Sequence, residues 1–172
     1  VSIYTRPHTR IAASDWIYVT IPAGSTIAWE HWDDPLPLSR SMNNINAYTT
    51  IQLPMYDPDT QEKWQKLTTE LEKTDYVILS SNRVYGGVAH TRERYPQTNV
   101  YYQLLFSGAL GFEKIVEFTS RPTLFGYEFV DDNAEESFTV YDHPKVTIFA
   151  NKKGLTDEQL YSLITGSLLQ IQ

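Results

Sequence analysis

Residues 5–29, TRPHTRIAASDWIYVTIPAGSTIAW, decide the fold of this chain. Ile11, Trp16 and Val19 form an apolar stripe at helical spacing, which predicts an amphipathic helix. We expect the helix to end at Pro22-Ala23-Gly24, and residues 25–29 are typical of a short strand. A helix, a Pro-Gly turn and a strand in this order predict the opening of an α/β unit.

The alternation of helices and strands continues through the first two-thirds of the chain. Helices are predicted over residues 60–73 and 96–110, with a buried strand over 76–79 between them. Gly86-Gly87 and the polar residues up to Arg94 are predicted to form a long loop. Further strands are predicted at 47–54, 112–119, 123–130, 137–141 and 146–149, before a last helix that starts at a Thr156/Gln159 capping box. The sequence therefore predicts one α/β domain over residues 1–172, a layered sandwich with a mixed, mostly parallel sheet flanked by about four helices.

The composition excludes several classes of protein. The chain has 172 residues, of which 41% are hydrophobic and 13% aromatic, so it can bury a core and is not intrinsically disordered. Its net charge of -7, without a run of Lys or Arg, argues against nucleic acid as a partner. Because it has no cysteine, it contains no disulfide, no thiolate zinc site and no cysteine nucleophile.

The hydropathy pattern contains no transmembrane helix. The longest uncharged stretch, residues 95–112, is interrupted by Pro96, Gln103 and other polar residues, whereas a span needs about 20 mainly apolar ones. We therefore expect the chain as given to be soluble. It begins with Val1 rather than Met, and no signal peptide follows, which indicates a processed chain or a fragment of a longer protein.

The densest group of polar side chains comes directly after the first predicted strand and consists of Glu30, His31, Trp32, Asp33 and Asp34. Ligands bind at the carboxyl ends of strands in open α/β sheets, so a binding site is expected here. All but Trp32 are candidate ligands of a divalent cation, and the two tryptophans, Trp29 and Trp32, could stack on a sugar ring. The alternative is a structural turn in which Asp33 and Asp34 bond to backbone amides before Pro35.

Weaker candidates lie further along the chain. Arg83, with Arg92 and Arg94, could bind an anionic group such as a lipid phosphate, or these could be solvated loop charges. Asp142 and His143 could form an Asp-His pair, but the neighbouring proline favours a turn. The sequence lacks both a G-x-S-x-G elbow and a phosphate-binding glycine pattern, so no catalytic residue is predicted.

Several strings, read together, resemble a known family. They are AASDWI (12–17), IPAGS (21–25), EHWDDPLP (30–37), YDPDT (56–60), DYVILSSNR (75–83), LGFE (110–113) and EESFTVYDHPKV (135–146). The pattern resembles the soluble C-terminal region of bacterial polytopic membrane glycosyltransferases of the family-39 type, GT-C enzymes related to dolichyl-phosphate-mannose protein mannosyltransferases. The resemblance covers nearly the whole chain, and YDHPKV (141–146) is its most specific string.

The resemblance implies a non-catalytic extracytoplasmic domain of a membrane glycosyltransferase that uses a lipid-phosphate sugar donor. Catalysis would then belong to the parent's own bundle of membrane helices, and this domain would help to bind or position a glycan or polypeptide acceptor. The layout is also similar to oligosaccharyltransferase C-terminal domains, in which a Trp/Asp motif contacts the acceptor peptide. Here the comparable place is occupied by Trp29, Trp32, Asp33 and Asp34, in a string that differs from Trp-Trp-Asp-Tyr.

Two other functions stay open from the sequence. One is a self-standing carbohydrate- or metal-binding module that uses residues 30–34. The other is a small soluble α/β hydrolase or transferase. We predict no cofactor in this chain other than a divalent cation, which its side chains could hold.

Overall fold

The computed structural model describes residues 7–39, 47–124, 127–128 and 137–167. The five α-helices of this part are α1 Thr9–Thr20, α2 Gln61–Glu72, α3 Arg83–His90, α4 Pro96–Ser107 and α5 Asp157–Gly166. The strands are β1 Thr26–Glu30, β2 Thr49–Leu53, β3 Tyr76–Leu79, β4 Phe112–Phe118, β5 Thr123–Leu124, β6 Tyr127–Glu128 and β7 Val146–Asn151. A π-helical segment, Ser137–Asp142, precedes β7.

Five of these strands form one mixed sheet in the order β2-β1-β3-β7-β4. β1 pairs in parallel with both β2 and β3, so that Ala28 is aligned with Ile51 on one side and with Val77 on the other. β7 lies antiparallel between β3 and β4, which leaves the other four strands running in one direction. The predicted α/β domain with a mixed sheet is therefore confirmed.

Helices cover both faces of the sheet. On one face, α1 packs against strand residues of the first apolar core, which includes Ala13, Ile17, Ile27, Ile78 and Ile148. The other four helices pack on the opposite face around Leu53, Trp64, Leu71, Val77, Tyr101, Phe149 and Ile164. The two cores receive alternate residues of β1, β3 and β7, as the pleat requires. Within the described residues, no helix has both the length and the apolar character needed to cross a bilayer.

A buried ion pair joins α2 to the start of α4. The ammonium of Lys63 donates to Asp59 Oδ1 at 2.9 Å and to Thr98 Oγ1 at 2.9 Å, and both charged side chains are 5% exposed. The other carboxylate oxygen of Asp59 accepts from the backbone amides of Gln97 and Thr98, at 2.7 and 3.0 Å. Asp59 thus satisfies free amides in the first turn of α4 while it neutralises the buried Lys63.

Two of the sequence predictions are wrong. The predicted loop after β3 contains α3, in which Val84 and Val88 are buried. Gly87 has a packing role, because a Cβ at this position would collide with the hydroxyl of Tyr56. The predicted strand at 137–141 belongs to the π-helical segment, which buries Val140 and exposes Tyr141 as a strand also would. In the predicted strand at 123–130, the described residues form β5 and β6, and 125, 126, 129 and 130 lie outside the described residues.

Candidate functional site

The carboxyl ends of β1 and β3 lie side by side at one edge of the sheet. The chain leaves β1 towards β2 on one side and leaves β3 towards β4 on the other, so the sheet order reverses between them. Such a reversal opens a crevice between the loops, which is where open α/β sheets bind ligands. The residues before β7 reach the same edge, because β7 runs antiparallel with Thr147 opposite Leu79. The candidate site is built from these loops and from the start of α1.

Asp33 forms hydrogen bonds with several parts of this edge. Its carboxylate is buried and accepts from Arg10 Nη2 at 3.0 Å and from the hydroxyl of Ser81 at 2.5 Å. Oδ1 also accepts from the backbone amide of Asp34 at 2.9 Å, which is the local turn contact expected of an aspartate here. Arg10 in turn donates to the carbonyl of Ser80 and pairs with Asp34 Oδ2 at 2.8 Å. Asp33 therefore joins α1 to the loops after β1 and β3.

Glu30 is the second buried carboxyl group. It is 1% exposed, it accepts a short hydrogen bond from the hydroxyl of Tyr102 in α4, and its Oε2 has no hydrogen-bond partner among the described residues. Burial, with a smaller contribution from the charge of Asp33, raises the pKa of Glu30 to about 8, against the opposing effect of the Tyr102 hydrogen bond. The carboxyl group therefore holds its proton at neutral pH.

The two tryptophans of the predicted site separate. Trp29 is half-buried and, as the neighbour of Glu30 in β1, its side chain lies on the opposite face of the sheet. Trp32 adopts a positive φ of 79° and is 61% exposed, with its ring stacked on that of His31 at 4.8 Å. Residues other than glycine rarely adopt this backbone conformation, so we infer that the contacts of Trp32 with Arg83 and His31 stabilise it.

The predicted metal ligands are not gathered around one point. The carboxyl of Glu30 is bonded to Tyr102, that of Asp33 to Arg10 and Ser81, and the ring of His31 lies on Trp32. In the parts of the chain that the structure describes, no group of three or more His, Asp or Glu side chains is arranged to hold a metal ion.

Arg83 joins Trp32 to Tyr141. One guanidinium nitrogen donates to the carbonyl of Trp32 at 2.9 Å, and another donates to the hydroxyl of Tyr141, whose ring lies 5.0 Å from the guanidinium carbon. The carbonyl of Tyr141 contacts His8 Nε2 at 3.1 Å, so the π-helical segment is tied to the start of α1 as well. We call the surface formed by Trp32, Asp34, Arg83 and Tyr141 the edge surface.

The remaining predicted residues lie around this surface. His143 is buried directly after the π-helical segment, and Asp142 is half-buried beside it. Arg83 begins α3, whereas Arg92 and Arg94 follow the end of that helix, so the three arginines do not form one cluster. Sequence reasoning missed four residues of the site, namely Arg10, Ser81, Tyr102 and Tyr141. The strings that contain Arg10 and Tyr102 carry no motif, although Ser81 and Tyr141 lie in two of the strings that carry the resemblance.

Comparisons of the chain with models of protein families, with curated proteins and with solved structures gave no match.

Proposed function

We propose that this chain is a non-catalytic extracytoplasmic domain of a lipid-linked-sugar-dependent membrane glycosyltransferase, and that its edge surface helps to bind the acceptor. One observation carries the proposal: Arg83 donates to the backbone carbonyl of Trp32 and to the hydroxyl of Tyr141, so that two exposed aromatic residues lie around one guanidinium at a sheet reversal. Exposed aromatic side chains that are held rigidly next to an arginine are typical of recognition surfaces. The family resemblance supplies the kind of parent protein.

The charged groups of the site favour binding over catalysis. A general acid or base must come within hydrogen-bonding distance of its substrate. Glu30 is 1% exposed and is bonded to Tyr102, and Asp33 is used by Arg10 and Ser81. The exposed groups of the edge surface include two aromatic rings and the Asp34 carboxylate, which suit recognition.

In this proposal the partners of the domain come from its parent. The parent's transmembrane bundle binds the lipid-phosphate sugar donor and performs the transfer, while the domain on the extracytoplasmic side holds a glycan or polypeptide acceptor. A self-standing carbohydrate-binding module would use the same edge surface. The two functions differ in whether the domain belongs to a membrane glycosyltransferase.

The reading frame that contains this segment gives the first test. The proposal expects several apolar segments of about 20 residues each upstream of Val1. A start codon directly before Val1, with no such segment anywhere in the frame, would contradict it and would favour the self-standing module.

The second test uses the parent enzyme in membranes with the substitution Trp32→Ala. Loss of an acceptor contact made equally in the ground and transition states raises KM for the acceptor and leaves kcat unchanged. Val19→Ala is the matched control, because Val19 is 88% exposed near the opposite end of α1 from Arg10. Equal KM values for both variants and the wild type would refute the proposed role of this surface in acceptor binding.

A further inference from the structure

We propose that the edge surface binds a neutral sugar ring, which packs on the open face of Trp32 and donates hydroxyl hydrogen bonds to Asp34. The inference rests on the proposed function, since it assigns the chemistry of the acceptor that this surface holds. It is carried by the arrangement of the two exposed rings, by the charges between them and by the position of the site at strand ends.

The two aromatic rings are each covered on one side by another planar group. The imidazole of His31 stacks on Trp32 at an interplanar angle of 24°, and the guanidinium of Arg83 lies over Tyr141. Trp32 is 61% exposed and Tyr141 is 62% exposed, so each of these residues remains largely accessible to a ligand. Flat, immobilised apolar faces of this kind match the C–H faces of a pyranose ring, which is itself rigid.

The polar groups beside the rings fit hydroxyl donors. Asp34 is 61% exposed, and its Oδ2 is held by Arg10 at 2.8 Å, so the carboxylate is oriented before a ligand arrives. An ionised carboxylate only accepts hydrogen bonds, and a sugar hydroxyl can donate one.

The charges disfavour an anionic ligand. Arg10 is 7% exposed and faces two carboxylates, and Arg83 already donates to Trp32 and Tyr141. The chain as a whole carries a net charge of -7, which repels a phosphate or a sulfated glycan. A neutral saccharide is the ligand that this balance admits.

The position of the site favours a sugar over a peptide. A peptide bound by strand addition needs the length of an exposed strand edge, and a helical peptide needs an apolar groove. The edge surface lies instead at the carboxyl ends of β1 and β3, and β1 is flanked on both sides by β2 and β3. A proline-rich peptide, which docks on aromatic rings, is therefore the competing ligand to include in the test.

The test is an equilibrium titration of the immobilised chain with four probes, in which binding is measured by surface plasmon resonance. The probes are methyl α-D-mannopyranoside, methyl β-D-glucopyranoside, mannose 6-phosphate and a proline-rich peptide. We expect at least one neutral glycoside to bind, and the phosphorylated sugar to bind no more tightly. Trp32→Ala is expected to weaken glycoside binding by about tenfold, whereas Trp32→Phe keeps an aromatic face and loses less.

Three results would overturn the inference: binding of the peptide but of no glycoside, tighter binding of mannose 6-phosphate, or equal affinities for the wild type and Trp32→Ala. Val19→Ala serves as the surface control, and an unchanged unfolding midpoint of each variant confirms that the fold is retained. The outcome is separable from the proposed function. A glycoside that binds at Trp32 while acceptor KM in the parent stays unchanged supports the site and contradicts the function. A raised KM without glycoside binding does the reverse.

Discussion

Replacing Glu30 with glutamine is predicted to change how the stability of the domain depends on pH. The buried carboxyl group has a pKa of about 8, whereas a glutamate in the unfolded chain titrates near 4.5. The folded protein therefore keeps a proton that the unfolded chain releases as the pH rises above 4.5. The contribution of this bound proton to the stability of the folded state is fully present below about pH 4.5. It declines until about pH 8, above which Glu30 is ionised in both the folded and the unfolded state.

The size of the effect follows from the same two pKa values. For each pH unit between the two pKa values the free energy of unfolding falls by about 1.4 kcal/mol, which gives about 5 kcal/mol over the whole interval. That is a large part of the 5–15 kcal/mol or so that holds a typical domain folded. Glu30→Gln keeps the shape of the side chain and an acceptor for Tyr102 but cannot ionise. The variant is therefore expected to become more stable relative to the wild type as the pH rises.

Urea denaturation, monitored by tryptophan fluorescence at several pH values between about 4.5 and 8, measures the difference in the free energy of unfolding between the two proteins. The expected result is a gap between wild type and Glu30→Gln that changes by about 1.4 kcal/mol for each pH unit. Tyr102→Phe is the companion variant: it removes the hydrogen bond that favours the ionised form of Glu30, so the free energy of unfolding should keep falling at the same slope to a pH above that at which the wild type levels off. Parallel curves for wild type and Glu30→Gln would refute the reasoning about this buried carboxyl group.

Two further predictions concern packing and a buried ion pair. Gly87→Ala should destabilise the domain by about 1–3 kcal/mol because its Cβ would collide with Tyr56. Gly86→Ala, with its nearest neighbour at 4.0 Å, should be neutral or stabilising. The urea midpoints of the two variants measure this difference. Asp59→Asn should cost about 3 kcal/mol because it leaves the Lys63 ammonium buried without its carboxylate, and adding Lys63→Met should recover part of the loss in the same assay. A stable Gly87→Ala variant, or no recovery in the double variant, would contradict these accounts.

The elements that the sequence predicts well depend on local patterns. The apolar run YVIL forms β3 at Tyr76–Leu79, and the Thr156/Gln159 pair forms a capping box at the start of α5. Asp59 lies next to Thr60, the residue that caps α2, but its side chain bonds to α4. Its true role depends on a contact across 38 residues, which no local pattern contains.

The two wrong predictions concern α3 and the π-helical segment. Gly86-Gly87 has the composition of a loop, and it is helical because tertiary packing outweighs the modest helix propensity of glycine. In the π-helical segment Val140 is buried and Tyr141 is exposed, as they also would be in a strand, so this pattern does not separate the two structures.

The location of the candidate site was predictable, whereas its chemistry was not. A polar cluster after the first strand of an α/β unit indicates a ligand site at the carboxyl edge. What each residue does there depends on partners that lie far away in the sequence. Asp33 meets Arg10 across 23 residues, Arg83 meets Tyr141 across 58, and Glu30 meets Tyr102 across 72.

The most direct test of the central claim, that the edge surface is a binding surface, is an NMR titration of the tryptophan indole N–H signals. The chain has four tryptophans, and the buried Trp64 is an internal reference beside the exposed Trp32. Addition of the glycosides is predicted to shift the Trp32 signal and to leave that of Trp64 in place. A Trp32 signal that stays fixed through titration with the glycosides and with the proline-rich peptide would contradict the account.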